Sequence, residues 1–161
     1  MPMTARALSH LADDELPFGE LLEALFTHLP GLIPGTLLTG DEVCRRAHRS
    51  HPGQLHPPAL SSLRHGRVQS PSLTTVAALA AGFDVDIAFF TTDFHHRHRR
   101  EPMAQRVLLA RINQRHYQLA AALYDLPPHS RDAVLTLLGI LTSREAATER
   151  RSTNPGQRQH G

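Results

Sequence analysis

The residues with most chemistry to offer lie between positions 45 and 70. Arg64 and Arg67 flank Gly66, Arg45, Arg46 and Arg49 precede them, and Ser61, Ser62, Gln69 and Ser70 add small polar groups. A guanidinium presents a planar fork of donors that matches two phosphate oxygens or the O6/N7 edge of a guanine. No acidic residue falls between Arg45 and Phe83, so a surface built from this segment is positive. Gripping phosphate and reading base edges is the chemistry such a set supports. The candidate contacts are Arg45, Arg46, Pro58, Ala59, Ser61, Ser62, Arg64, His65, Arg67, Gln69 and Ser70. For each one taken singly the competing reading is a solvated helix face. All seventeen basic residues are Arg and none is Lys, which a GC-rich genome also explains.

These side chains need short helices to present them. Phe18, Leu21, Leu22, Leu25, Phe26 and Leu29 follow helical spacing and predict a first helix. Pro30, Gly31, Pro34 and Gly35 then form a linker that cannot stay helical. Thr39-Gly40-Asp41-Glu42 is a capping box, opening a helix to about His48 with Val43, Cys44 and Ala47 inward. Pro57 and Pro58 suit a first helical turn, so a third helix is predicted from Pro58 to His65, with Gly66 just past its end. Leu60 and Leu63 anchor that helix. Ala59, Ser61, Ser62 and His65 are left outward, and Arg64 is placed to reach a phosphate or brace the loop. Ser72 caps a fourth helix ending at Gly82, and Asp86 caps a short fifth one carrying Ile87, Phe89 and Phe90.

The charge map separates the chain into zones. Residues 1–44 carry seven acids and one base, whereas residues 97–115 carry six arginines against Glu101. His95, His96 and His98 sit in a basic run, Phe94 to Arg100. Neighbouring histidines diverge on a helix and no carboxylate completes a ligand spacing, so no metal site is expected. The run reads instead as a solvated basic junction that gains charge in mildly acidic conditions. One cysteine, Cys44, allows no intrachain disulfide and falls on an apolar helix face. No Gly-rich phosphate loop, nucleophile elbow or paired carboxylates stand out, so neither an enzyme nor a cofactor is expected, and no small-molecule ligand is evident. There is no signal-peptide pattern and no apolar run of about 18 residues, which predicts a cytoplasmic protein without a membrane partner.

Past Pro102 a long helix carries Leu108, Ile112, Leu119 and Leu123 on one face. After Leu126-Pro127-Pro128, Ser130 is expected to cap a last helix with Val134, Leu137, Leu138 and Leu141 at helical spacing. A two-helix hairpin cannot bury both stripes, so these eight residues are the candidate dimerisation surface. The predicted organisation is a flexible lead-in at 1–16, a DNA-binding domain at 17–92, a helical dimerisation domain at 93–147 and a disordered tail at 148–161.

The ordered set of a capping-box helix, a Pro-started short helix, a glycine stop, a basic loop and a Ser-capped helix resembles the XRE-type, lambda-repressor-like helix-turn-helix regulators. The residues carrying it are Leu60-Ser61-Ser62-Leu63-Arg64-His65-Gly66, Ser70-Pro71-Ser72-Leu73, Val76-Ala77-Ala78-Leu79-Ala80 and Val85-Asp86-Ile87-Ala88-Phe89-Phe90. A closer resemblance, over roughly residues 17–146, is to the EspR-like regulators of actinobacteria. It adds Phe18, Leu25-Phe26, Thr39, Glu42-Val43, Phe90-Thr91-Thr92-Asp93, Leu126-Pro127 and Val134-Leu135. His95 to Arg100 and Arg67-Val68-Gln69 depart from that family's pattern. The resemblance implies an all-α chain: a helix-turn-helix domain followed by a C-terminal helical dimerisation domain. It also implies a homodimer on double-stranded DNA in the bacterial nucleoid, regulating transcription or organising the chromosome. The alternative is a protein-interaction adaptor or antitoxin-like module on the same helical fold, for which an acid-free zone around the third helix is not needed.

Overall fold

A computed structural model describes residues 16–152. Seven α-helices follow one another: α1 (Phe18–His28), α2 (Gly40–Ser50), α3 (Pro57–Arg64), α4 (Leu73–Phe83), α5 (Thr92–Arg97), α6 (Met103–Asp125) and α7 (Pro128–Ser152). A single 3-10 turn, Ile87–Phe90, stands between α4 and α5. Among the described residues the only extended pairing is an isolated antiparallel bridge between Pro30 and Leu37, so the chain is all-α as expected.

Local signals set most of the helix ends. The Thr39 Oγ1 accepts from the Glu42 N–H at 3.3 Å while Glu42 Oε2 accepts from the Thr39 N–H at 2.9 Å, closing the capping box. Glu42 Oε1 also takes the Leu32 N–H at 2.9 Å, tying the Pro/Gly linker to the start of α2. Ser72 Oγ accepts from the Thr75 N–H at 3.2 Å and Asp86 Oδ1 from the Ala88 N–H at 3.0 Å. α2 runs two residues beyond the expected His48, to Ser50, and α4 ends at Phe83, one past Gly82.

The chain divides into one compact unit that ends at His116 and another that begins at Tyr117. The core of the first contains Leu22, Leu25, Val43, Leu79, Phe83, Val85, Phe89, Phe94 and Val107, all essentially inaccessible. Two glycines set how closely its helices approach. A Cβ on Gly82 would lie 2.6 Å from the Val43 carbonyl oxygen, and one on Gly19 would lie 2.7 Å from that of Arg64. Backbone therefore stands where those side chains would go, so α4 sits hard against α2, and α1 against the end of α3.

The expected boundary at 92/93 moves to 116/117. Phe94, Val107 and Ala110 are buried in the first unit's core, the Asp86 N–H donates to the Ala110 carbonyl at 3.0 Å, and Arg115 pairs with Asp84 at 2.9 Å. The basic run is correspondingly not wholly solvated. Phe94 and His95 are buried side by side on α5, and only its other residues face water. His95 packs edge-on against the rings of Phe89 and Phe94, and this apolar environment outweighs the polar look of the surrounding sequence.

In the second unit α7 starts at Pro128, so Ser130 lies inside the first turn and does not cap it; a proline is suited to that turn because its missing N–H is not needed. Arg131 instead holds the end of α6, donating to the carbonyls of Leu123, Tyr124 and Leu126. No α7 side chain described is buried, and Leu135, Leu137, Leu138, Ile140 and Leu141 are exposed. The tail expected from 148 is helical to Ser152; its remainder, and the lead-in up to residue 15, lie outside the described residues.

Candidate nucleic-acid interface

α3 is short because both of its ends are fixed locally. A residue before proline is pushed to extended backbone, and His56 adopts φ −135°, ψ 158°. From there its Nδ1 accepts from the Ala59 N–H at 3.1 Å, so a histidine serves as the N-cap. Pro57 and Pro58 fill the first turn without wasting donors. At the other end Gly66 adopts φ +70°, its N–H donates to the Leu63 carbonyl at 3.1 Å, and the Arg67 N–H reaches the Ser62 carbonyl at 2.9 Å. This pair of bonds is the Schellman arrangement, which a side chain at position 66 would strain.

Only Leu60 and Leu63 of α3 are buried, each 3% exposed. Fully burying a leucine stabilises by about 1.5–3 kcal/mol, enough to fix the rotation of a helix this short. That rotation leaves Pro57 and Pro58 exposed and Ala59, Ser61 and Ser62 half-buried. His65 is exposed but not loose: its Nδ1–H donates to the Ser61 carbonyl at 2.7 Å. Arg67, Val68, Gln69 and Ser70 continue as an exposed loop, whose Val68, Gln69 and Ser70 also edge a cavity of about 510 Å³ beside Phe18, Phe90 and His95. Pro58, Ala59, Ser61, Ser62, His65, Arg67, Gln69 and Ser70 thus make a strip in sequence along α3 and the loop after it, each at least partly accessible.

Arg64 does not join that strip as a free cation. Its Nε and Nη2 grip Glu23 Oε2 and Oε1 at 2.6 and 3.0 Å, and its guanidinium carbon lies 4.5 Å from the centre of the Phe26 ring. The Arg64 hydrogen bond holds the Glu23 carboxyl below its ordinary pKa, and Glu23 in turn raises that of Arg64. The sequence leaves Arg64 to reach a phosphate or brace the loop; in the structure its fork lies instead on Glu23 of α1. Glu23 is 41 positions away, a partner no local pattern signals.

Arg45 and Arg46 belong to α2. With Arg49 they line a cleft of about 530 Å³ whose other cations, Arg111 and Arg115, come from α6; no residue from 56–70 is among its lining. At the start of α2, a Cβ on Gly40 would lie 3.5 Å from Leu60 Cδ2 of α3.

Three further groups, Glu42, Cys44 and His95, are perturbed by their surroundings. Glu42 is held below its ordinary pKa by the Thr39 and Leu32 N–H groups. Burial pushes the Cys44 thiol up. His95 Nε2–H donates to the Phe89 carbonyl at 2.7 Å, leaving Nδ1 to face Arg106 Nη1 at 3.5 Å, and burial pushes its pKa down. Among the described residues no cluster of His, Cys, Asp and Glu has the makings of a metal site, and no helix is long and apolar enough to cross a membrane. No protein-family model matches the chain, and a comparison with curated proteins likewise returns no match.

Proposed function

We propose that this chain is a sequence-preferring double-stranded DNA-binding protein of the lambda-repressor-like helix-turn-helix class, akin to the EspR-like regulators, acting as a homodimer in transcription control or nucleoid organisation. One observation carries the reading. α3 is an eight-residue helix held by two leucines, with an exposed Pro57-Pro58 first turn, inside a stretch of 37 residues, 46–82, without a single acid. A helix of that length with its first turn clear is what the major groove admits. α2 and α3 form the helix pair, α3 is the reading helix, and Ser61, Ser62, Ala59 and His65 are its base-facing groups. Arg67, Gln69 and Ser70 grip phosphate from the following loop.

The second unit supplies the dimer. α7 has 25 residues and no buried side chain among those described, although it carries Leu135, Leu137, Leu138, Ile140 and Leu141, which is a poor state for such a helix in water. Leu137 and Leu141, 60% and 54% exposed, share a face with Val134 and Leu138, and Leu119 and Leu123 of α6 belong to the same unit; the other two residues of the expected stripe, Leu108 and Ile112, fall in the first unit. A second copy of the chain offers the same stripe in self-complementary form, and a twofold dimer presents two reading helices to successive turns of DNA.

The experiment is selection from a random duplex pool with the full chain. A consensus with two related half-sites is expected. Recovery of no enriched sequence, together with no salt-dependent retention of bulk duplex, refutes the reading and favours a protein-binding adaptor.

A further inference from the structure

The arginine cleft is a second basic feature, separate in its residues from α3. Arg45, Arg46 and Arg49 of α2 converge there with Arg111 and Arg115 of α6. Five guanidiniums there face only two carboxylates, Glu42, which interacts with Arg46, and Asp84. Both oxygens of Glu42 are taken by the N–H groups of Leu32 and Thr39, and Asp84 pairs with Arg115. Among the described residues no carboxylate lies within salt-bridge distance of Arg45, Arg49 or Arg111. Holding several guanidiniums around one concavity costs free energy through mutual repulsion unless an anion of high charge sits between them. The forks come from two helices separated by some 60 positions in sequence, so the fold assembles the cluster and a bare helix face does not. Its volume, about 530 Å³, falls in the range of about 300–1,000 Å³ usual for small-ligand sites and suits a few linked phosphates. Guanidinium forks match phosphate oxygens two at a time.

We propose that this cleft binds a compact polyphosphate, the di- or triphosphate part of a small phosphorylated ligand, with Arg45, Arg49 and Arg111 as the principal contacts. The site does not depend on the DNA-binding reading, and its ligand is distinct from the duplex. The test is titration calorimetry of the full chain with inorganic tripolyphosphate at constant ionic strength, with sulfate as the comparison anion. Saturable binding of tripolyphosphate is expected, weakened at least about tenfold by the combined Arg45→Gln, Arg49→Gln and Arg111→Gln changes, as losing charge-assisted contacts requires. Circular dichroism checks that this variant is folded; Arg49→Glu alone, at an exposed position, is the second variant and should weaken binding several-fold. Absence of saturable heat, equal affinity for sulfate (an adventitious anion only), or unchanged affinity in folded variants overturns the proposal. Duplex binding is measured in the same variants. If it falls in step with tripolyphosphate binding, the cleft tracks the DNA backbone and the small-ligand assignment is wrong.

Discussion

Replacing Arg64 by alanine separates a bracing role from a DNA contact. The pair with Glu23 is bidentate but its side chains are 39% and 56% exposed, so solvent screens it and its worth is about 0.2–1 kcal/mol. The guanidinium also covers the Phe26 ring at 4.5 Å, a contact worth about 0.5–1 kcal/mol at an accessible site. Arg64→Ala should therefore destabilise the first unit by about 1–2 kcal/mol, which for a domain of about 100 residues lowers Tm by several degrees. Glu23→Gln removes the ion pair and leaves the ring contact, so it should cost only the ion-pair share, about 0.2–1 kcal/mol. Urea denaturation followed by circular dichroism reads both. Because the fork is already occupied, Arg64→Ala should reduce duplex affinity no more than its loss of folded protein explains. An unchanged denaturation midpoint combined with a tenfold loss of DNA binding would refute the bracing assignment and return Arg64 to the contact surface.

Other consequences concern the core, pH and assembly. His95 is buried neutral and its folded pKa lies below the ordinary 6.5, so the unfolded chain binds the extra proton first. The stability this group contributes is complete above about pH 6.5 and is lost as pH falls toward the folded pKa; His95→Gln should flatten that part of the stability profile, and an identical acid slope in the variant would contradict the assignment. Gly82→Ala sets a Cβ 2.6 Å from the Val43 carbonyl and should destabilise by about 1–3 kcal/mol, the range for overpacking, against the gain expected from alanine in an open helix. A Gly82→Ala protein as stable as the parent would show that α2 and α4 can part without cost. Leu137→Asp with Leu138→Asp, both exposed on α7, should leave helix content in the first unit unchanged and yield a monomer by sedimentation. A parent chain already monomeric at tens of micromolar would remove the dimer.

What the sequence made legible was local. The Thr39/Glu42 box, the Ser72 and Asp86 caps, the Gly66 stop and the Leu60/Leu63 anchors each depend on residues within a few positions, and each is found where its pattern placed it. What it left hidden depends on residues far apart in sequence. Arg64 meets a partner 41 positions away, and Arg45 and Arg46 line a cleft together with arginines of α6. His95 looks solvated in a basic run, yet tertiary packing turns it onto Phe89 and Phe94. Ser130 resembles a cap, but the adjoining prolines allow the helix to begin before it. The His56 cap had a usable signal, the Pro-Pro pair that forces extended backbone at 56, in a residue type seldom expected at an N-cap.

Fluorescence anisotropy of a labelled mixed-sequence duplex, titrated with the full chain across a series of salt concentrations, tests the central claim most directly. Saturable binding is expected, with the logarithm of the association constant falling linearly with the logarithm of salt concentration. In Arg67→Ala that slope should be shallower by about one while the fold is retained. Absence of binding at low salt, or binding indifferent to salt in both proteins, would contradict that claim.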